Sequence, residues 1–264
     1  MMLPSRARWG GQGAQQCKVL YCCRRGPYFN GVNNMKLVYW DIDGTLINTG
    51  RAGLYAIEEV FHTLPGKEHL PVPKIAAGGR TDNYICQQLL YKATGIMPTD
   101  DEVSTFCRGY EKKLLKWLKV KQDEGVIFHH VRSILAAFAE KEGYKQLLLT
   151  GNSVYGAQMK LDFFDLSQYF DFAHSGFACQ YYYRDDLAKN AYRIAKDAWG
   201  DAIEDMFVIG DTPYDIQCGK AIGAKTISVA TGHYDYDHLA SCKPWKLIKE
   251  LPEPEAFQAL LEED

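Results

Sequence analysis

Two aspartates one residue apart, Asp41 and Asp43, stand directly behind the apolar run Leu37-Val38-Tyr39-Trp40. That run reads as a fully buried strand. Where a strand ends with its backbone still extended, residues i and i+2 point the same way. Both carboxylates should therefore meet at the strand's mouth, with Gly44-Thr45 turning the chain away. Adjacent carboxylates repel and call for a cation between them, and an oxygen-only site suits Mg²⁺. One of the pair can then serve as nucleophile and the other as acid and base. A second apolar strand, residues 145–149, ends in Thr150-Gly151-Asn152-Ser153. Its hydroxyl and free backbone amides can bind a phosphate oxygen without adding charge. A third, residues 206–209, runs into Gly210-Asp211-Thr212-Pro213-Tyr214-Asp215.

In this order the segments resemble the motifs of the haloacid dehalogenase superfamily, the aspartate-nucleophile phosphohydrolases. Asp41-Ile42-Asp43-Gly44-Thr45-Leu46 resembles motif one and Thr150-Gly151-Asn152 motif two. The Gly210-Asp211…Asp215 segment resembles motif four, whose acids hold the metal. Asp215 sits at a helix start, where it can ligate, support ligands by hydrogen bonds, or cap the helix. Motif three departs from the usual Lys ahead of Pro-x-Pro, which is absent between 165 and 205. Instead Arg184 stands just before a helix with apolar Leu187, Ala191, Ile194 and Ala198, closed by Gly200. Lys189, one turn inside that helix, is its rival for the motif-three cation. An Arg can hold phosphate bidentately and keeps its charge.

The resemblance best fits the phosphoglycolate-phosphatase-like branch with a helical cap. It implies an Mg²⁺-dependent phosphomonoester hydrolase acting on a small phosphorylated metabolite. Asp41 would attack phosphorus to form an aspartyl phosphate; Asp43 would protonate the leaving oxygen and then activate water. Thr150 and Arg184 would hold phosphate oxygens, with Gly151, Asn152 and Lys189 as further substrate contacts. Asp41, Asp211, Asp215 and Asp43, the last through its backbone carbonyl, would hold the metal. The dehalogenases lack the second aspartate, so Asp43 argues against carbon–halogen chemistry. Two alternatives are a phosphosugar mutase with the same motifs and a non-catalytic phosphometabolite-binding protein.

Elements able to position these residues recur along the chain. Strands are expected near 37–41, 145–150, 170–174, 206–210 and 225–229, with amphipathic helices between most of them. Buried strands alternating with helices argue for a doubly wound, Rossmann-like α/β core with a parallel sheet covered on both faces. The resemblance places the strand of Asp41 centrally, between those ending at Thr150 and Asp211, so that the motifs converge at the strands' carboxyl ends. Residues 35–51 and 127–264 would form this core. The stretch 52–126 reads as a helical insertion resembling the family's small cap domain, inserted after the first strand. One stripe there is Leu54, Ile57, Phe61 and Leu64, halted by Pro65-Gly66; another is Val103, Phe106, Tyr110, Leu114 and Trp117. Thr99 with Glu102 makes a capping box ahead of the second. Within the insertion, Gly78-Gly79-Arg80-Thr81-Asp82 admits two readings. It is either a loop that brings Arg80 to an anionic substrate group, or a turn in which Asp82 caps the next helix.

Composition sets the remaining bounds. With 264 residues and 47% apolar content the chain can bury a substantial core. No apolar run approaches the ~18–20 residues of a membrane span. Eight cysteines lack metal-ligand spacing and read as free thiols of a reducing, cytoplasmic compartment. Residues 1–34 carry four Arg and one Lys and no acid. Setting those five cations aside takes the formal net charge from −3 to −8, which argues against nucleic acid as a partner. Disorder is expected there, and a monomer or weak dimer overall.

Overall fold

The computed structural model describes residues 34–263, so the expectation for the amino-terminal extension lies, apart from Asn34, outside the described residues. Five parallel strands form one sheet: β1 (Met35–Trp40), β4 (Tyr144–Leu148), β5 (Ile203–Gly210), β6 (Lys225–Val229) and β7 (Lys246–Ile248). Their order is β4-β1-β5-β6-β7. β1 is thus flanked by the strands leading to Thr150 and Asp211, with Tyr39 level with Leu147 on one side and Val208 on the other.

Successive β1 residues point to opposite faces, and both faces are buried. Val38 and Trp40 join Ile134, Leu135 and Phe138 of α4 (Val131–Ala139) and Phe257 of α9 (Pro254–Leu261). Trp40 and Phe257 stack with centroids 5.3 Å apart. On the other face, Leu37 and Tyr39 meet Leu187, Ala188 and Ala191 of α6 (Arg184–Trp199) and Cys218 of α7 (Pro213–Ala221). This is the α/β, doubly wound architecture that the alternation of elements predicts.

The helical insertion has an apolar core of its own. α1 (Ala52–Phe61), α2 (Asp82–Thr94) and α3 (Asp100–Val120) enclose Ala56, Phe61, Cys86, Leu89, Tyr110 and Leu114. Thr99 and Glu102 form the expected reciprocal capping box at the start of α3. At the neck, β2 (Ile47–Thr49) pairs antiparallel with β3 (Gly125–Ile127), so entry and exit of the insertion are zipped together. Among the described residues no helix is long and apolar enough to cross a membrane.

Several local expectations need correction. Residues 170–174 are not a strand; Phe172–His174 is a 3-10 turn, and only a single bridge joins Leu149 to Gly176. The Asp171 carboxylate accepts the amides of Ala173 and His174 and curls the chain there. α1 ends at Phe61, ahead of Pro65-Gly66, and Leu54 is exposed; its inward face is Ala52, Ala56, Ile57, Val60 and Phe61. In α6 the inward positions are Leu187, Ala188, Ala191 and Ala195, leaving Ala198 exposed. In α3, Leu118 is fully buried, while Trp117 packs half-buried against the same core and donates to Glu59. β7 and the β2–β3 ladder, three residues per strand, escape periodicity altogether.

Leu114 is fully buried in the core of the insertion. Leu114→Ala should cost about 2–5 kcal/mol, read as a lower denaturant midpoint. An unchanged midpoint would mean the helices do not share one packed core.

Candidate active site

The carboxyl ends of β4, β1 and β5 gather the charged residues. Asp41, Asp211 and Asp215 are all buried, and each places a carboxylate oxygen so that the three lie within 4.8 Å of one another. Among the described residues, one cation reaches this group. Arg184, the first residue of α6, lies 3.3 Å from Asp41 Oδ1, pairs with Asp215 Oδ1, and donates to the Leu149 carbonyl at 2.9 Å. One nitrogen makes all three contacts, and the buried Nε meets no hydrogen-bond partner among the described residues. Lys189 is not brought to the site; its side chain is 61% exposed and its partner is Asp186. It sits on the solvent side of α6, away from the inward face that Arg184 begins.

Asp215 combines two of the roles open to it. Its Oδ2 accepts from the Thr212 amide at 3.0 Å and the Thr212 hydroxyl at 2.6 Å, closing a capping box at the start of α7. Its Oδ1 meets Arg184. Asp211 accepts from the Thr45 hydroxyl at 3.0 Å. Gly44 has φ +91°, and a Cβ there would come within 2.3 Å of Asp211 Oδ2. Only glycine both makes that turn and leaves room for the carboxylate.

Three acids around one guanidinium leave the group short of positive charge. Burial raises the Asp41 carboxyl to about 7, with Arg184 opposing and Asp215 and Asp43 adding to the rise. Burial, then repulsion from Asp215 and Asp41, holds Asp211 well above the usual carboxylate range. Burial works against the Arg184 charge, but Asp215 and Asp41 more than offset it and keep it protonated. An all-oxygen, acid-rich cluster of this kind fits a hard divalent cation such as Mg²⁺.

Asp43 faces a different environment. Its Oδ2 accepts from Asn152 Nδ2 at 2.8 Å and from Lys160 Nζ at 2.6 Å, whereas Oδ1 has no hydrogen-bond partner among the described residues. Its carboxylate is therefore drawn away from the three clustered acids, and its side chain is 41% exposed to the cleft. Asn152 also donates to the Thr150 hydroxyl at 2.8 Å and accepts from Lys160 at 2.7 Å. Its amide is thus engaged by Asp43, Thr150 and Lys160.

Lys160 was missed from sequence. It lies on α5 (Val154–Phe163), 6% exposed. Its inward neighbours are Gly156, Ala157 and Leu161, and a lysine on a helix face otherwise made of small and apolar residues was the available signal.

The insertion closes over these residues. The Asp82 amide donates to the Gly151 carbonyl at 2.7 Å, and a Cβ on Gly151 would come within 2.2 Å of the Arg80 carbonyl. Thr81, not Asp82, caps α2 by accepting from the Tyr84 amide. Asp82 instead is buried, accepting from the Tyr110 hydroxyl and, at 2.8 Å, from the Ser153 amide on the core side. The Arg80 guanidinium lies 4.6 Å from the Tyr84 ring centre and 4.1 Å from that of Tyr214. Its N–H groups meet no acceptor among the described residues.

With this geometry stand the comparisons. The family model described as "haloacid dehalogenase-like hydrolase" matches residues 35–223, and the chain belongs to that family. Over 201 residues it is 24% identical to a phosphoglycolate phosphatase of Aquifex aeolicus, covering 75% of this chain and 86% of the relative. A family IA hydrolase from Entamoeba histolytica shares the fold at TM-score 0.63 and 17% identity, over 86% of this chain and 100% of that one. A hydrolase from Pseudomonas syringae does so at TM-score 0.55 and 18% identity, over 86% and 98%.

The raised Asp41 carboxyl gives a thermal test without turnover. A carboxyl whose folded pKa is raised from 3.8 to about 7 contributes stability that is complete below pH 3.8 and is lost as pH rises through 7. In metal-free protein Tm should therefore fall between pH 5 and 8, and Mg²⁺ should restore more of it at pH 8 than at pH 5. Equal Mg²⁺ shifts at both pH values would contradict a cation site built on Asp41.

Proposed function

We propose that this protein is a divalent-cation-dependent phosphomonoesterase that works through an aspartyl phosphate on Asp41. The observation that carries the reading is the division of labour at the end of β1. Asp41 is buried among Asp211, Asp215 and Arg184, while Asp43, two residues on, holds one carboxylate oxygen bound and the other free.

Asp41, Asp211 and Asp215 would hold Mg²⁺, with the Asp43 backbone carbonyl as a further ligand, and the cation would offset the negative charge of carboxylate and phosphoryl group. An Asp41 oxygen attacks phosphorus and the bond to the leaving oxygen breaks. Asp43, through its free Oδ1, gives that oxygen a proton and then takes one from the water that hydrolyses the acyl phosphate. Thr150, held by Asn152, and the backbone at Gly151 line the phosphate side. Arg184 keeps Asp41 and Asp215 in place against their mutual repulsion. Over them the insertion of residues 52–126 acts as a cap that excludes bulk water.

The substrate is a small phosphorylated metabolite. Supporting this, the Gly78-Gly79-Arg80 loop packs directly against Gly151 and Thr212, leaving the Arg80 guanidinium, steadied by two tyrosines, as the group that meets the leaving portion. A cation so placed, with its donors uncommitted, suits an anionic or hydroxyl-rich leaving group.

Assay against a panel of phosphomonoesters with Mg²⁺ tests the reading. Phosphate release should require the cation and drop at least a thousandfold in Asp41→Asn. Turnover that survives in Asp41→Asn would exclude Asp41 as nucleophile, and dependence on an added sugar bisphosphate would make the protein a mutase. Arg80→Ala should raise KM for the best substrate by roughly tenfold, the cost of one charge-assisted contact of about 1.4 kcal/mol, with a smaller change in kcat. A KM that does not move would remove Arg80 from the substrate site.

A further inference from the structure

We infer that Lys160 is the positioning residue for the acid–base carboxylate, fixing Asp43 so that Oδ1 alone is presented to the leaving oxygen. The inference rests on the phosphatase reading and adds to it a residue outside the four motifs. A carboxylate on a short side chain at the end of a strand has two broad orientations about its last torsion, and either oxygen can face the cleft. In this structure that freedom is removed. Both hydrogen bonds to Asp43 fall on Oδ2, from Lys160 at 2.6 Å and Asn152 at 2.8 Å. The same ammonium accepts nothing and donates a second bond, to Asn152 Oδ1 at 2.7 Å, which fixes the amide so that its N–H₂ side faces Asp43 and Thr150. Lys160, Asn152 and Asp43 thus close a three-membered ring of hydrogen bonds, and Thr150 hangs from it.

The location of Lys160 agrees with a framework role. Its side chain is 7% exposed against 41% for Asp43, so of the pair it is the carboxylate that faces the cleft. The first turn of α1 roofs it, since a Cβ on Gly53 would lie 4.0 Å from Nζ. A charge so enclosed is retained only with good partners, and its partners are the acid–base group and the residue that orients it. About two turns of α5 separate this lysine from Ser153, which the cap grips through Asp82 and Glu111. The element that anchors the cap therefore also carries the residue that aims Asp43.

Lys160→Met keeps length and volume and removes the donors. With esters of graded leaving-group acidity, kcat for poor leaving groups should fall about tenfold or more, since general-acid help is worth ~10²–10⁴. For good leaving groups it should fall less than about threefold, with KM unchanged. In an Asp43→Asn background the same substitution should add nothing, because both changes act through one group. Lys160→Gln, which keeps an N–H₂ group on a shorter, uncharged arm, should recover part of the loss and serves if the Met variant melts early. A uniform loss with raised KM and a raised inhibition constant for inorganic phosphate would make Lys160 a phosphate ligand and overturn the inference. So would a further loss on top of Asp43→Asn. A crystal structure of Lys160→Met needs no turnover, and should show the Asp43 carboxylate in more than one orientation. A single unchanged orientation would refute the inference even if the phosphatase reading stands, whereas an inactive wild type would refute only that reading.

Discussion

Confinement of three carboxylates around a single guanidinium is the constraint on which the rest of the structure depends. Asp41, Asp211 and Asp215 are nearly inaccessible, and Arg184 touches two of them with one nitrogen. Burying like charges at this separation is costly unless hydrogen bonds and a counter-charge hold them. The surroundings supply both. Thr45 and Thr212 donate hydroxyls, α7 begins with a capping box that turns Asp215 inward, and Gly44 yields its space to Asp211. The remaining deficit of positive charge suits the cluster to a divalent cation.

Set against that cluster, the separate treatment of Asp43 explains how two aspartates two residues apart acquire different chemistry. Asp41 sits in a dry, acid-rich environment that burdens its negative charge. Asp43 leans into the cleft under the hold of Lys160 and Asn152. In the proposed reaction a bound cation would hold Asp41 as the charged nucleophile, while Asp43 faces the cleft for proton transfer. The extended backbone aims both the same way, but residues far along the chain decide what each can do.

Much of this was legible in the sequence because it is local. A buried run followed by acids at i and i+2 announces a strand end, and three such ends predicted a shared edge that the sheet order β4-β1-β5 realises. The Thr99–Glu102 box could be read because its partners are three residues apart. What failed were features set by partners distant in sequence. Nothing near Arg184 shows that it would meet Asp41 and Asp215, and nothing near Asn152 reveals the lysine that occupies its carbonyl. Lys189 looked equivalent to Arg184 until the helix phase put one inside and the other in solvent. The false strand at 170–174 was apolar enough, but Asp171 spends its carboxylate on the following amides.

The place of β1 at the middle of the sheet also has a bearing on synthesis. Its neighbours, β4 and β5, begin at Tyr144 and Ile203, so β1 must wait for both of them to leave the ribosome. The helical insertion, whose buried apolar cluster is drawn from its own span, can condense during that interval. Leu37, Val38, Tyr39 and Trp40 meanwhile have no sheet to enter. A nascent chain paused between these points would carry a folded cap beside an unpaired apolar strand, and that strand is where a chaperone would have reason to hold it.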